Sequence, residues 1–228
     1  MILPEKFTER MKAMLKDEYD DFYTALTDTP IYSAIRINTL KPNAENAVKS
    51  VTGALSCVPW CRDGFYADKT LISGNHPYHC AGLFYFQEPS AMCAVSGLPV
   101  RHGDKILDLC AAPGGKSTQA AAKLDGTGLL VANEIVKKRA DILSENIERM
   151  GISNAIVTNE TPQRLSEKYS SFFDKIIVDA PCSGEGMFRK EPQAVAEWSE
   201  EHTLSCGTRQ KHILDCAVKR LKKDGLLV

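Results

Sequence analysis

The sequence predicts an α/β fold. A doubly wound, Rossmann-like parallel sheet is expected over residues 88–228, preceded by a small α+β domain over residues 1–87. Three observations point there. From residue 103 onward, short apolar runs alternate with helical stretches. One strand-to-helix junction, Asp108-Leu109-Cys110-Ala111-Ala112-Pro113-Gly114-Gly115-Lys116-Ser117, is made largely of small residues. The next apolar run closes on an acidic residue, Glu134.

In chain order, residues 5–27 read as helix, with Phe7, Met11, Met14 and Leu15 on one apolar face. Residues 31–37 and 83–86 are short apolar runs set among Gly, Pro and Asn, which reads as strands, with a short helix at 44–51 between them. Residues 105–110 form the first strand of the larger sheet and 117–124 the helix after it. A second strand at 128–133 leads into an amphipathic helix at 136–150, which Gly151 is placed to close. Strands at 155–157 and 175–179 follow. Residues 210–223 read as a helix, with Lys219, Arg220, Lys222 and Lys223 as a solvated basic face. Leu226-Leu227-Val228 then opens a fifth strand, inside which the chain stops, so the sheet is expected to be C-terminally incomplete.

Composition narrows the function. Hydrophobic residues at 43% and charged residues at 25% are ordinary globular usage and exclude a disordered chain. A net charge of -1, from 28 basic and 29 acidic side chains, excludes a tail-like polycation, so any polyanion must meet a local patch. No apolar run approaches the ~18 residues of a membrane span. Eight cysteines in 228 residues are too sparse for a disulfide scaffold, which favours a cytoplasmic chain with reduced thiols.

Ligands of doubly wound sheets bind beyond the C-terminal ends of the strands. At the 108–117 junction, glycines admit close approach and the helix N-terminus offers free N–H groups. Gly115-Lys116-Ser117 fits the tail of a P-loop, but the glycine required five residues before Gly115 is replaced by Cys110. The dinucleotide G-x-G-x-x-G pattern is also absent, so a phosphate cradle is disfavoured. Glu134 stands where a carboxylate accepts from ribose hydroxyls, and Asp108 where one can face a cation. A nucleoside with a positive centre and no phosphates, such as S-adenosyl-L-methionine, fits better than NAD or ATP. Taken singly, Glu134 is as readily a solvated strand end and Asp108 a turn or capping residue.

The 108–117 segment, together with Asp179-Ala180-Pro181-Cys182-Ser183-Gly184-Glu185-Gly186-Met187-Phe188-Arg189-Lys190 and Gln87-Glu88-Pro89-Ser90-Ala91-Met92, resembles the Nol1/Nop2/Sun family of S-adenosylmethionine-dependent RNA 5-methylcytosine methyltransferases. The layout is most similar to its bacterial 16S rRNA enzymes. The resemblance implies a methyltransferase sheet behind an RNA-recognition-like domain, S-adenosyl-L-methionine as cofactor, and RNA of the small ribosomal subunit as partner of a cytoplasmic monomer without membrane attachment. It implies a cofactor site of Asp108, Ala112, Pro113, Gly114, Gly115 and Lys116, with Glu134 on the ribose and Arg139 and Asp179 alongside. Asn159 or Glu160 falls where the family places an Asp beside adenine. Cys182, Asp179 and Lys190 carry over as catalytic residues.

Cytosine C5 is a poor nucleophile until a thiolate adds to C6, and C5 must afterwards lose its proton. In the resembled family the nucleophile lies in a Thr-Cys motif after the fifth strand, and the Pro-Cys cysteine assists product release. Pro181-Cys182 is present and no Thr-Cys pair occurs, so Cys182 carries over as the accessory cysteine, although DNA 5-methylcytosine enzymes use a Pro-Cys nucleophile. The chain is expected to bind cofactor without turning over.

Arg189 and Lys190 are expected on RNA, and Phe188 either stacks on a base or packs in a core. Arg36 and Asn38 touch RNA, orient the catalytic domain, or serve a salt bridge. Cys57, Cys61, Cys80, His76 and His79 lack a standard zinc spacing, so no metal is expected, and these cysteines, with Cys93, Cys110, Cys206 and Cys216, read as packing residues. A non-catalytic RNA-binding or ribosome-assembly factor on the same fold stays open as the second class of function.

Overall fold

The computed structural model describes residues 2–29, 31–68 and 72–228, the side chain of Ser166 excepted. Its elements run α1 (Glu5–Leu15), α2 (Tyr19–Thr27), β1 (Ala34–Ile37), α3 (Ala44–Thr52), β2 (Cys57–Val58), β3 (Cys61–Tyr66), α4 (Pro77–Cys80), β4 (Phe84–Phe86), α5 (Pro89–Gly97), β5 (Lys105–Asp108), α6 (Gly115–Leu124), β6 (Leu129–Asn133), α7 (Lys137–Arg149), β7 (Ala155–Thr158), α8 (Pro162–Lys168), β8 (Phe173–Ile177), α9 (Pro192–Glu197), α10 (Glu200–Val218) and β9 (Leu221–Leu227). The chain divides into two compact units, one of Met1–Ile31 with Ala180–Ile213, the other of Tyr32–Asp179 with Leu214–Val228.

The first unit is helical. Its core gathers Phe7 and Met11 of α1, Tyr19 of α2, Phe188 and Trp198. Phe7 meets Phe188 and Trp198 edge-on, at centroid distances of 5.1 and 5.5 Å. Phe188 is thus a core residue, which overturns the base-stacking alternative. Residues 5–27 are not one helix. A 3-10 turn at Lys16–Glu18 redirects the chain after Leu15, and Met14 is left at the rim, 60% exposed.

The second unit holds both sheets. The smaller is antiparallel in the order β2-β3-β1-β4; the larger is parallel in the order β7-β6-β5-β8-β9. Ile106, Leu107, Leu130, Val131, Ile176 and Ile177 are essentially inaccessible, as expected for a parallel sheet covered on both faces. Val95 of α5, Ala120 and Leu124 of α6, and Leu143 and Ile147 of α7 pack in the same core.

Arg36 and Asn38 join the two sheets. Asn38 Nδ2 donates to the carbonyls of Gly82 and Met150, both at 2.8 Å. Arg36 donates from Nε to Gln87 Oε1 at 2.9 Å and from Nη2 to Thr118 Oγ1 at 2.6 Å and the Gly115 carbonyl at 3.3 Å. Both side chains are buried and the partners of their hydrogen bonds are neutral, so they tie the two sheets together, and the salt-bridge alternative falls away. Gly82 is required at this seam. Its φ is +71°, and a Cβ there would lie 2.0 Å from the Arg149 carbonyl oxygen.

The C-terminal segment departs most from expectation. α10 ends at Val218 and β9 begins at Leu221, so residues 219–223 are not a helical face. β9 pairs with β8 through Phe173↔Leu221, Lys175↔Leu226 and Ile176↔Leu227, and a register shift absorbs Asp224-Gly225, with Asp224 at φ +64°. Pairing of both leucine stretches with β8 outweighs the helical tendency of the lysines. Arg220 is fully buried, donating from Nη1 to the Cys216 carbonyl at 2.7 Å and from Nη2 to the Pro162 carbonyl. Lys222 Nζ reaches Asp174 Oδ1 at 2.6 Å.

Cys57, Cys80 and Cys93 are exposed, against the packing expectation, whereas Cys61, Cys206 and Cys216 are buried. Among the described residues no three His, Cys, Asp or Glu side chains are grouped to hold a metal, and no helix is long and apolar enough to cross a membrane.

Candidate cofactor site

The larger sheet reverses its strand order at β5, where β6 lies on one side and β8 on the other. Such a switch point opens a crevice beyond the strand ends. Asp108 closes β5, Glu134 follows β6, Asn159 and Glu160 follow β7, and Asp179 follows β8. The structure therefore brings the sequence-predicted cofactor residues to one edge. Cys182 and Lys190 lie in the helical unit, both exposed, and Gln210 Nε2 donates to the Pro181 carbonyl at 3.1 Å beside Cys182. Arg189 in that unit donates to the Thr29 carbonyl.

The loop between β5 and α6 holds its shape through its neighbours. Gly114 sits at φ +114°, against the α7 side chains of Leu143 and Asn146. Arg139 Nη2 donates to the Ala112 carbonyl at 2.9 Å, and Asn146 Nδ2 to the Pro113 carbonyl at 2.8 Å. Lys116 Nζ crosses the switch point to Asp179 Oδ2 at 2.6 Å.

Glu134 is 2% exposed. Its Oε1 accepts from the Val136 N–H at 3.0 Å, and its Oε2 lies 3.3 Å from Arg139 Nη1. The strand end beneath it is braced from β7, since Asn159 Nδ2 donates to the carbonyls of Glu134 and Ile135 at 2.7 and 2.9 Å. Glu160 pairs with Arg164 at 3.2 Å. Sequence reasoning missed Asn133, whose amide ties three segments. Nδ2 donates to the Leu109 and Glu160 carbonyls, and Oδ1 accepts from Thr158 Oγ1 and the Glu160 N–H. Its one signal was a polar residue ending the apolar 129–133 run.

Asp108 is completely buried. Ser117 Oγ donates to its Oδ2 at 2.6 Å, while Oδ1 has no partner among the described residues. Burial pushes its carboxyl up to about 6, against the stabilising Ser117 bond. The Cys110 thiol is pushed up to about 12, first by burial and then by the charges of Asp108, Glu134 and Asp179. Burial beside these carboxylates disfavours the Cys110 thiolate. Three carboxylates gather at this glycine-lined strand edge, with Asp179 paired to Lys116 and Glu134 to Arg139, and the orphaned Asp108 oxygen and the buried Glu134 carboxylate fit the sulfonium and ribose of S-adenosyl-L-methionine.

A parallel sheet of this order, with acidic residues gathered at its switch point, has the Rossmann-like architecture of the S-adenosylmethionine-dependent class. Residues 95–228 match the family model of the 16S rRNA methyltransferase RsmB/F, and residues 3–89 match that of the N-terminal domain of 16S rRNA methyltransferase RsmF. The chain belongs to the RsmB/F family. It is 42% identical to the ribosomal RNA small subunit methyltransferase F of Vibrio cholerae, over 99% of the chain and 50% of that protein. The chain spans about half the length of the curated relatives it matches. Among solved structures, a methyltransferase homologue from Pyrococcus horikoshii is 25% identical, with TM-score 0.74 over 98% of this chain and 76% of that one. The NSun6 of Pyrococcus horikoshii, solved with SFG, shares the fold at 21% identity and TM-score 0.82, over 98% of this chain and 82% of that one.

Proposed function

We propose that this chain supplies the cofactor site and the accessory cysteine of an activity that methylates cytosine C5 in small-subunit ribosomal RNA. The observation that carries the reading is the pair of buried carboxylates at the switch point, Glu134 braced on its strand end and Asp108 with one oxygen unpaired. S-adenosyl-L-methionine, when bound, supplies the electrophilic methyl group. Glu134 accepts the ribose hydroxyls, Asp108 faces the cationic end, and the 112–116 loop surrounds the methionine part, held by Arg139 and Asn146. Lys116 and Asp179 stand between cofactor and base. Cys182 takes the accessory role in releasing the methylated product, and Lys190 meets the RNA. In this reading residues 1–87 are the N-terminal helices plus the small α+β, RNA-recognition-like domain, residues 88–228 are the methyltransferase domain, and the protein is a cytoplasmic monomer.

Calorimetry with S-adenosyl-L-methionine tests the site. A hydrogen bond to a charged group is worth about 1.5–3 kcal/mol, so Glu134→Ala is expected to weaken binding by roughly ten- to a hundredfold. Unchanged affinity would remove Glu134 from the site. The 228-residue chain itself is expected to bind the cofactor without methylating 16S rRNA, because it contains no Thr-Cys pair. Methyl transfer by this chain would instead make Cys182 the nucleophile.

A further inference from the structure

A second cavity, of about 360 Å³, lies in the larger unit between the β2–β3 hairpin and α6, away from the strand-end crevice. Its walls include Arg36, Trp60, Arg62, Asp63, Gln119 and Lys123. The cations outnumber the one carboxylate, so this is a local positive patch on a chain whose net charge is -1. Lys123 is pinned, since its Nζ donates to the carbonyls of Val95, Ser96 and Leu98 at 2.6–2.9 Å. Arg36 uses Nε and Nη2 for its protein bonds, and among the described residues its Nη1 makes none. Arg62 is exposed. Trp60, at the tip of the hairpin, is 44% exposed, yet its ring is held by a 2.7 Å bond from Nε1 to the Pro89 carbonyl.

A fixed, accessible indole beside guanidinium groups is the chemistry of a single-stranded nucleic-acid subsite. Aromatic rings accept the face of any base, and cations take the adjoining phosphate. We propose that this cavity binds one nucleotide of a single-stranded RNA, with its base stacked on Trp60 and its phosphate held by Arg62 at the Arg36 wall. The inference rests on the RNA-substrate reading above and adds a contact remote from the cofactor crevice. Asp63, half-buried against Arg62 and Arg36, provides an acceptor for a base amino group or a ribose hydroxyl. Stacking on an indole does not discriminate among bases, so the subsite grips the strand and leaves the choice of target base to other contacts.

The chain has two tryptophans, and Trp198 is buried in the helical core, so quenching by a ligand reports Trp60. Titration with a cytidine-rich RNA tetranucleotide is expected to quench the emission saturably. Arg62→Ala, a surface change, is expected to raise the half-saturation concentration fivefold or more, with Arg62→Lys falling between, and Trp60→Phe should abolish the signal. Filter retention of the same RNA runs in parallel. Retention without quenching, or quenching indifferent to Arg62→Ala, would overturn the subsite while leaving the RNA-methyltransferase reading in place. Displacement by inorganic phosphate at equal phosphate concentration would assign the cavity to free anions and overturn the nucleotide. No retention at all would overturn the subsite and count against the RNA substrate as well.

Discussion

Replacing Arg36 with alanine is expected to lower the stability of the chain by about 3–5 kcal/mol, read as a lower urea midpoint. The guanidinium is essentially inaccessible and faces no carboxylate bond, and burial brings it down to about 10 from an ordinary 12.5. It remains charged at neutral pH, and the cost of its burial is offset by bonds to Gln87, Thr118 and the Gly115 carbonyl. The Tyr85 ring, 5.9 Å away, adds an aromatic face. Removal of a buried charge can be neutral when its partners are replaced with it. Here the three acceptors stay buried and lose their donor, and a side-chain-sized void opens at the seam between the sheets. Arg36→Lys is expected to fall between, because an ammonium keeps the charge but cannot span Gln87 and Thr118 in one plane. A loss below about 1 kcal/mol for the alanine variant would show that the seam is held elsewhere.

This residue also marks where reading the sequence stops. Its partners lie 51 to 82 positions away, so nothing local announces its burial. The parallel sheet was legible because its strands are buried on both faces and stand out as unbroken apolar runs. The β2–β3 hairpin was not, because Arg62, Asp63 and Gly64 interrupt any alternation, and two of those side chains face a polar cavity instead of a core. The boundary between α10 and β9 failed for a related reason. Lysines at 219, 222 and 223 read as a helical face, while the strand is imposed by pairing with β8, which is distant in sequence.

At the site, the loop from Asp108 to Lys116 was legible as a composition that a close-approaching ligand requires, and Glu134 as an acidic strand end. The bonds that fix them were not. Asn133 and Asn146 bond to groups on other segments, and a lone amide has no spacing that would reveal such partners; Arg139 was expected beside the cofactor, but its bond to the Ala112 carbonyl was not.

Asp108→Asn is expected to make the folded chain more stable and the cofactor weaker at once. The carboxyl sits near 6 in the fold against an ordinary 3.8, so the folded chain holds this proton more tightly than the unfolded one. The burial penalty is therefore absent below about pH 4, grows between about pH 4 and 6, and is constant above, at about 3 kcal/mol. Asparagine keeps an oxygen for the 2.6 Å bond from Ser117 and carries no charge to bury. The variant should gain about 1–3 kcal/mol at pH 7, with the gain vanishing near pH 4. A cationic ligand at the unpaired Oδ1 relieves the same penalty in the wild-type chain, so its affinity should fall as pH drops through about 6. The asparagine variant should bind S-adenosyl-L-methionine about ten- to a hundredfold more weakly at pH 7, with no corresponding pH dependence. Urea midpoints and calorimetry across pH 4–8 measure both halves. A variant less stable at pH 7, or wild-type affinity flat through pH 6, would mean that Asp108 is a structural acid and not the cofactor's counter-charge.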